Sequence, residues 1–162
     1  MEASELVANL ASRLGIELEP WESCSFDADG IVVAINHLAD AGALALSSDL
    51  GEPPPEKLEG LYKALLGANH MFAGTAGATF SLDPDTSRIT LFIALPVASL
   101  DGDSFAKAVE TFVNTAEMWT KVIADYREGA EIAAAQTAQA EESGETVPAP
   151  GNPFSPGGFM QV

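Results

Sequence analysis

Positive charge is what this sequence has least of. Its 162 residues hold 7 Lys and Arg against 24 Asp and Glu, a formal net charge of −17. Affinity for nucleic acid rests on neutralising phosphates with Lys and Arg, and attraction to anionic lipid rests on the same side chains. The composition therefore argues against a nucleic-acid partner and against a charged membrane surface. Long apolar runs are missing as well. The longest, near Ile89–Ser99, falls well short of the ~20 residues that span a bilayer, so no membrane insertion is expected. The first residues, Met1-Glu-Ala-Ser-Glu, lack the basic and apolar regions of a secretory signal. One cysteine, Cys24, cannot close an internal disulfide. Together these absences point to a reducing cytoplasm.

Residues that carry chemistry are equally sparse. The two histidines, His37 and His70, stand in no H-x-x-x-H or H-E-x-x-H spacing, so no metal signature exists. Cys24 has no CxxC partner, and a nucleophile needs a nearby base. Gly74-Thr-Ala-Gly77 follows a helix and precedes a strand. A phosphate loop needs the reverse order, and a flexible link is the expectation. Asp27 with Asp29, and Asp83 with Asp85, are spaced like calcium ligands but outside the twelve-residue EF-hand pattern. Aspartate in tight turns is ordinary. The chain is expected to be no enzyme, with no catalytic residue, metal or cofactor.

What the sequence does have is a core, since 47% of it is hydrophobic. Leu6, Leu10 and Leu14 recur every four residues beside Val7. That spacing predicts a helix over 5–14, with Ser4 as its N-cap and Gly15 as its C-cap. Strands are expected at 21–26, 31–38 and 43–48, joined by turns at 27–30 and 39–42 too short for parallel crossovers. Pro53, Pro54 and Pro55 then lead into a helix over 56–69. A hairpin over 78–82 and 88–95 follows, closed by Pro96. Phe105, Val109, Phe112, Ala116, Trp119, Ile123 and Tyr126 alternate steps of four and three, which marks a long helix capped by Asp101 or Asp103. The order α-β-β-β-α-β-β-α implies an α+β fold, with a twisted antiparallel sheet packed against helices. Residues 1–135 are read as the domain, and 136–162 as a helix extension with a disordered Pro/Gly-rich tail.

The first and last helices are expected to cover one face of the sheet. The apolar side of the middle helix, Leu58, Leu61 and Leu65, is then surplus. On a small acidic domain a surplus apolar surface suggests self-association, so these three leucines are the expected dimer interface.

A family resemblance emerges from Leu65-Leu-Gly-Ala-Asn69, Gly74–Asp83, Arg88–Pro96, Leu100-Asp101, Phe105, Phe112-Val113 and Ala116-Glu-Met-Trp119. A Leu-Leu-x-x-Asn helix end, a hairpin closing in Leu-Pro, and a last helix with Phe and Trp are similar to the class I type III secretion chaperones, the Tir-chaperone-like family of Gram-negative bacteria. The likeness covers about residues 1–130. It implies a cytoplasmic, non-catalytic homodimer. Such a chaperone binds the N-terminal region of a secreted effector in extended form and delivers it to the secretion apparatus. The expected effector contacts are Leu6 and Leu10 on the first helix and Val32, Ala34, Leu44 and Leu46 on the adjacent strands, read as sharing an exposed face. The competing reading is a scaffold or regulatory protein of the same fold that binds a folded partner.

Overall fold

The structure, a computed structural model, describes residues 1–143. Its elements are α1 (Ala3–Leu14), β1 (Ser23–Ala28), β2 (Ile31–Leu38), β3 (Ala43–Gly51), α2 (Leu58–Asn69), β4 (Thr79–Leu82), β5 (Ile89–Pro96) and α3 (Gly102–Ser143). Residues 1–130 form one compact unit. The tail expected beyond α3, 144–162, lies outside the described residues.

The helix start differs from expectation in its cap. Glu2, not Ser4, is the N-cap of α1, and its N–H donates to Glu5 Oε2 at 2.9 Å. A carboxylate three residues on serves an early backbone donor as well as a hydroxyl would. Gly15 takes the left-handed conformation at φ 68°, where only glycine is at ease. For α3 the cap is Asp101, whose Oδ1 accepts the N–H of Ser104 at 2.8 Å.

All neighbouring strands are antiparallel, in the order β1-β2-β3-β5-β4. The chain leaves β3, crosses through α2 to the far edge, and returns with β5 between. Side chains alternate across this sheet. One face holds Ile31, Val33 and Ile35 of β2, Leu44, Leu46 and Leu50 of β3, and Leu91 of β5, all buried. Upon it pack Leu6, Val7 and Leu10 of α1 and Phe105, Val109, Phe112 and Ala116 of α3. Leu61, Leu65 and Ala68 of α2 belong to the same core, so α2 is only partly surplus.

The segment from His70 to Gly77 is a tight joint rather than a loose link. The Gly74 N–H donates to Ala68 O at 3.2 Å, and the Trp119 indole N–H donates to Gly74 O at 2.8 Å. The Trp119 ring meets Phe80 edge-on with centroids 4.8 Å apart. A β-carbon on Gly74 would stand 2.9 Å from the Ala68 β-carbon, so the helix end and the joint could not close. Gly74→Ala should destabilise the fold by about 1–3 kcal/mol, the usual cost of overpacking. A urea melt reads this as a lower midpoint at unchanged slope; an unchanged midpoint would mean the joint gives way freely.

Candidate partner-binding surfaces

Asn69 explains one motif residue. It closes α2, and its side chain reaches the edge strand β4. There its Oδ1 accepts the Phe80 N–H at 2.8 Å and its Nδ2 donates to Phe80 O at 3.3 Å. An amide offers the same donor and acceptor as a neighbouring strand, so this stretch of the edge is paired by a side chain. The Leu-Leu pair before it divides its work. Leu65 is buried, while Leu66 is 68% exposed.

Leu58, Tyr62 and Leu66 follow one another at helical spacing along the outer side of α2. Leu58 and Leu66 are exposed and Tyr62 is half-buried. Beside them a cavity of about 300 Å³ opens between α2 and β4, lined by Tyr62, Leu65, Leu66, Asn69, Phe80 and Leu82. Just past α2, Met71 and Phe72 are both exposed and hold positive φ of 53° and 56°. Left-handed backbone is unfavourable for side chains of this size. Of the three leucines expected at a dimer interface, Leu58 is on the surface, whereas Leu61 and Leu65 point into the chain's own core.

The second surface is the outer face of the sheet. Ser25, Ala34, Ser47, Phe92 and Thr79 pair in one row across all five strands. Most of this face is small: Ala94 is exposed, Ala34 and Ser47 are half-buried, and Ala43 and Ala45 are buried. Val32, 55% exposed, and Phe92 rise from it.

The strand pairing corrects the expectation that Val32, Ala34, Leu44 and Leu46 share one exposed face. Ala34 pairs with Ser47, and Ile35 with Leu46. Even-numbered residues of β2 therefore share a face with odd-numbered residues of β3. Leu44 and Leu46 lie opposite Val32 and Ala34, and both are fully buried. Leu6 and Leu10 are likewise buried, on the core-facing side of α1. Val32 is exposed and Ala34 half-buried, whereas the other four lie inside the core.

The third surface lies between α1 and the segment that follows it. A groove of about 530 Å³ has Ala8 and Ala11 of α1 on one side and Ile16, Leu18 and Trp21 on the other. Glu5, Glu17 and Glu19 stand on its rim. On the other flank of the same segment, a hollow of about 360 Å³ is lined by Glu17, Glu19, Ser23, Ser25 and Ala34.

The groups that could do chemistry are otherwise engaged. Burial, and after it the charge of Glu19, push the Cys24 thiol above its usual range, the wrong direction for a nucleophile. His37 lies against the Trp21 ring at 5.0 Å. Asp83 Oδ1 accepts the N–H groups of Asp85 and Thr86, each at 2.9 Å, and Asp27 Oδ1 accepts that of Gly30 at 2.8 Å. These aspartates serve their own turns. No cluster of three His, Cys, Asp or Glu suited to a metal occurs among the described residues, and no helix there is long and apolar enough to cross a membrane.

Solved structures share this architecture. The ExsC–ExsE complex matches with a TM-score of 0.63 at 22% identity, covering 76% of this chain and 97% of that one. The heterodimeric ExoU–SpcU complex from the type III secretion system of Pseudomonas aeruginosa matches at 0.56 and 18%, covering 75% and 94%. The Yersinia pestis type III secretion chaperone SycH, in complex with a stable fragment of YscM2, matches at 0.56 and 18%, covering 72% and 98%. A search of the curated proteins found no match. The model of the Tir chaperone protein (CesT) family matches residues 5–120. With that match over most of its length, and the same α-β-β-β-α-β-β-α architecture, the chain belongs to the Tir chaperone protein (CesT) family.

Proposed function

We propose that the protein is a cytoplasmic, non-catalytic chaperone that holds the N-terminal region of a type III secreted effector in extended form and hands it to the secretion apparatus. One observation carries this reading beyond family membership. The core is complete, yet apolar side chains remain outside it on two faces: Val32 and Phe92 on the sheet, and Leu58, Leu66, Met71 and Phe72 at and after α2. An acidic domain that keeps such surface has partners for it. The α2 face suits a second copy of the chain, giving a homodimer with Leu58, Tyr62 and Leu66 between subunits and Leu61 and Leu65 supporting them from behind. The sheet face suits an extended segment. Flat rows of Ala and Ser admit a backbone closely, and alternate side chains of a bound strand can lodge beside Val32 and Ala34.

The test is capture of the tagged chain from its host under secreting conditions, followed by light proteolysis of whatever is bound. The expected result is a secreted protein protected only over a stretch near its N-terminus, and one whose secretion falls when the chaperone gene is deleted. A partner protected as one compact folded body, with secretion unchanged, would overturn the reading in favour of a scaffold or regulator.

A further inference from the structure

The groove beside α1 is apolar at its floor and acidic at its rim. Ala8 and Ala11 form a shallow wall, and Ile16, Leu18 and Trp21 form the other side. Leu18 is buried and anchors its segment to the core. The neighbouring residues Glu17 and Glu19 are exposed. They make no ion pair among the described residues, where Arg13, Lys63, Arg88, Lys107 and Lys121 all have carboxylate partners. The charge around them is one-sided. Residues 1–48 contain eight carboxylates and a single cation, Arg13, which is held by Asn9 and Asp103. The hollow on the other flank shares Glu17 and Glu19 and reaches Ala34 on the outer sheet face. One acidic ridge thus runs between two hollows and leads to the sheet.

We infer that this ridge selects the client: the segment that binds here carries a large apolar residue flanked by Lys or Arg. The inference rests on the chaperone reading for the source of that segment. The apolar residue enters the groove against Ala8, Ala11 and Trp21, and the flanking cations stand opposite Glu5, Glu17 and Glu19. A second copy of this chain does not fit, because it would bring the same negative charge to the ridge. Nucleic acid is repelled for the same reason. Opposite charge across a rim chiefly sets the encounter rate and the choice of partner, and it is screened by salt over about 8–10 Å.

The experiment uses the full chain and two fluorescent synthetic peptides of equal length and identical apolar residues. One carries lysines beside its central Trp and the other carries glutamates. The lysine peptide is expected to bind at least about tenfold more tightly at low salt, and to weaken as salt rises. Two exposed pairs together account for a factor of roughly five to ten. Glu17→Gln/Glu19→Gln should therefore weaken the lysine peptide by about that factor and flatten its salt dependence, with the circular dichroism spectrum unchanged. Glu56→Gln/Asp85→Asn removes equal charge elsewhere and should leave binding nearly as it was. Equal binding of the two peptides would overturn the proposal, and so would equal losses in the two double variants, which would mean a general field and no ridge. These outcomes are read independently of the client. If a secreted client is captured but neither peptide is preferred, only this inference falls. If the peptide preference holds but no secreted client is found, the chaperone reading falls and the selective ridge stands.

Discussion

Leu46→Glu should abolish the cooperative unfolding transition, while Val32→Asp should leave it in place. Leu46 is fully buried, with Ile35 and Ile93 as its strand partners. Removing its side chain from the core forfeits about 2–3 kcal/mol of transfer energy. The carboxyl that replaces it must either stay charged without a partner or be held neutral by a raised pKa, at a further cost of several kcal/mol. Total stabilities of domains run about 5–15 kcal/mol, so the sum removes most or all of it. Leu44→Glu should behave alike, since Leu44 is equally buried between His37 and Leu95. Val32 projects from the other face and is already half in water, so an aspartate there costs about 1 kcal/mol or less. Thermal melts followed by near- and far-ultraviolet circular dichroism separate these outcomes. A Leu46→Glu protein with the parent's melting temperature would mean that β2 and β3 pair in another register.

That contrast also marks where the sequence was legible and where it was not. The helices and β5 announced themselves by local periodicity, with four-residue steps in α1, alternation in β5 and mixed three- and four-residue steps in α3, whereas β1 to β4 were marked by composition and the turns that bound them. Boundaries moved by a few residues, as at β1, where Trp21 and Glu22 precede the strand. Pairing parity is not local. Whether Leu44 shares a face with Ala34 depends on how many residues the turn at 39–42 consumes, and a miscount of one exchanges the two faces. Insertion of β5 between β3 and β4 is also a tertiary outcome, invisible to any window of sequence. The 70–77 joint was missed because Met71, Phe72 and Ala76 take positive φ without the Gly or Asn that normally signals it. At the candidate surfaces, alternation along β2 alone placed Val32 and Ala34 on the face away from the core. A count of charge by segment marks the start of the chain as acidic, with eight carboxylates and one cation before residue 49, but the two hollows that flank Glu17 and Glu19 arise only in the fold.

In the proposed homodimer, Leu66→Glu should convert the protein to monomer at micromolar concentration. Leu66 is the most exposed leucine of α2 and borders the cavity between α2 and β4. In a two-fold interface each substitution occurs twice. The dimer thus loses two apolar anchors and gains two carboxylates facing an already acidic partner. Central apolar anchors commonly carry 2 kcal/mol or more each, so the dissociation constant should rise by about three orders of magnitude. Leu58→Glu, at the start of the same stripe and less exposed, should act in the same direction more weakly. Leu61→Glu provides the contrast. Leu61 is fully buried within its own chain, so this change should unfold the subunit instead of separating two folded ones. Sedimentation equilibrium of the parent and of Leu66→Glu, beside circular dichroism of all three variants, reads each outcome directly. A parent that sediments as a single monomer at tens of micromolar would refute the dimer. A folded Leu66→Glu protein that remains dimeric would move the interface off α2, to a face such as the sheet's outer surface around Phe92.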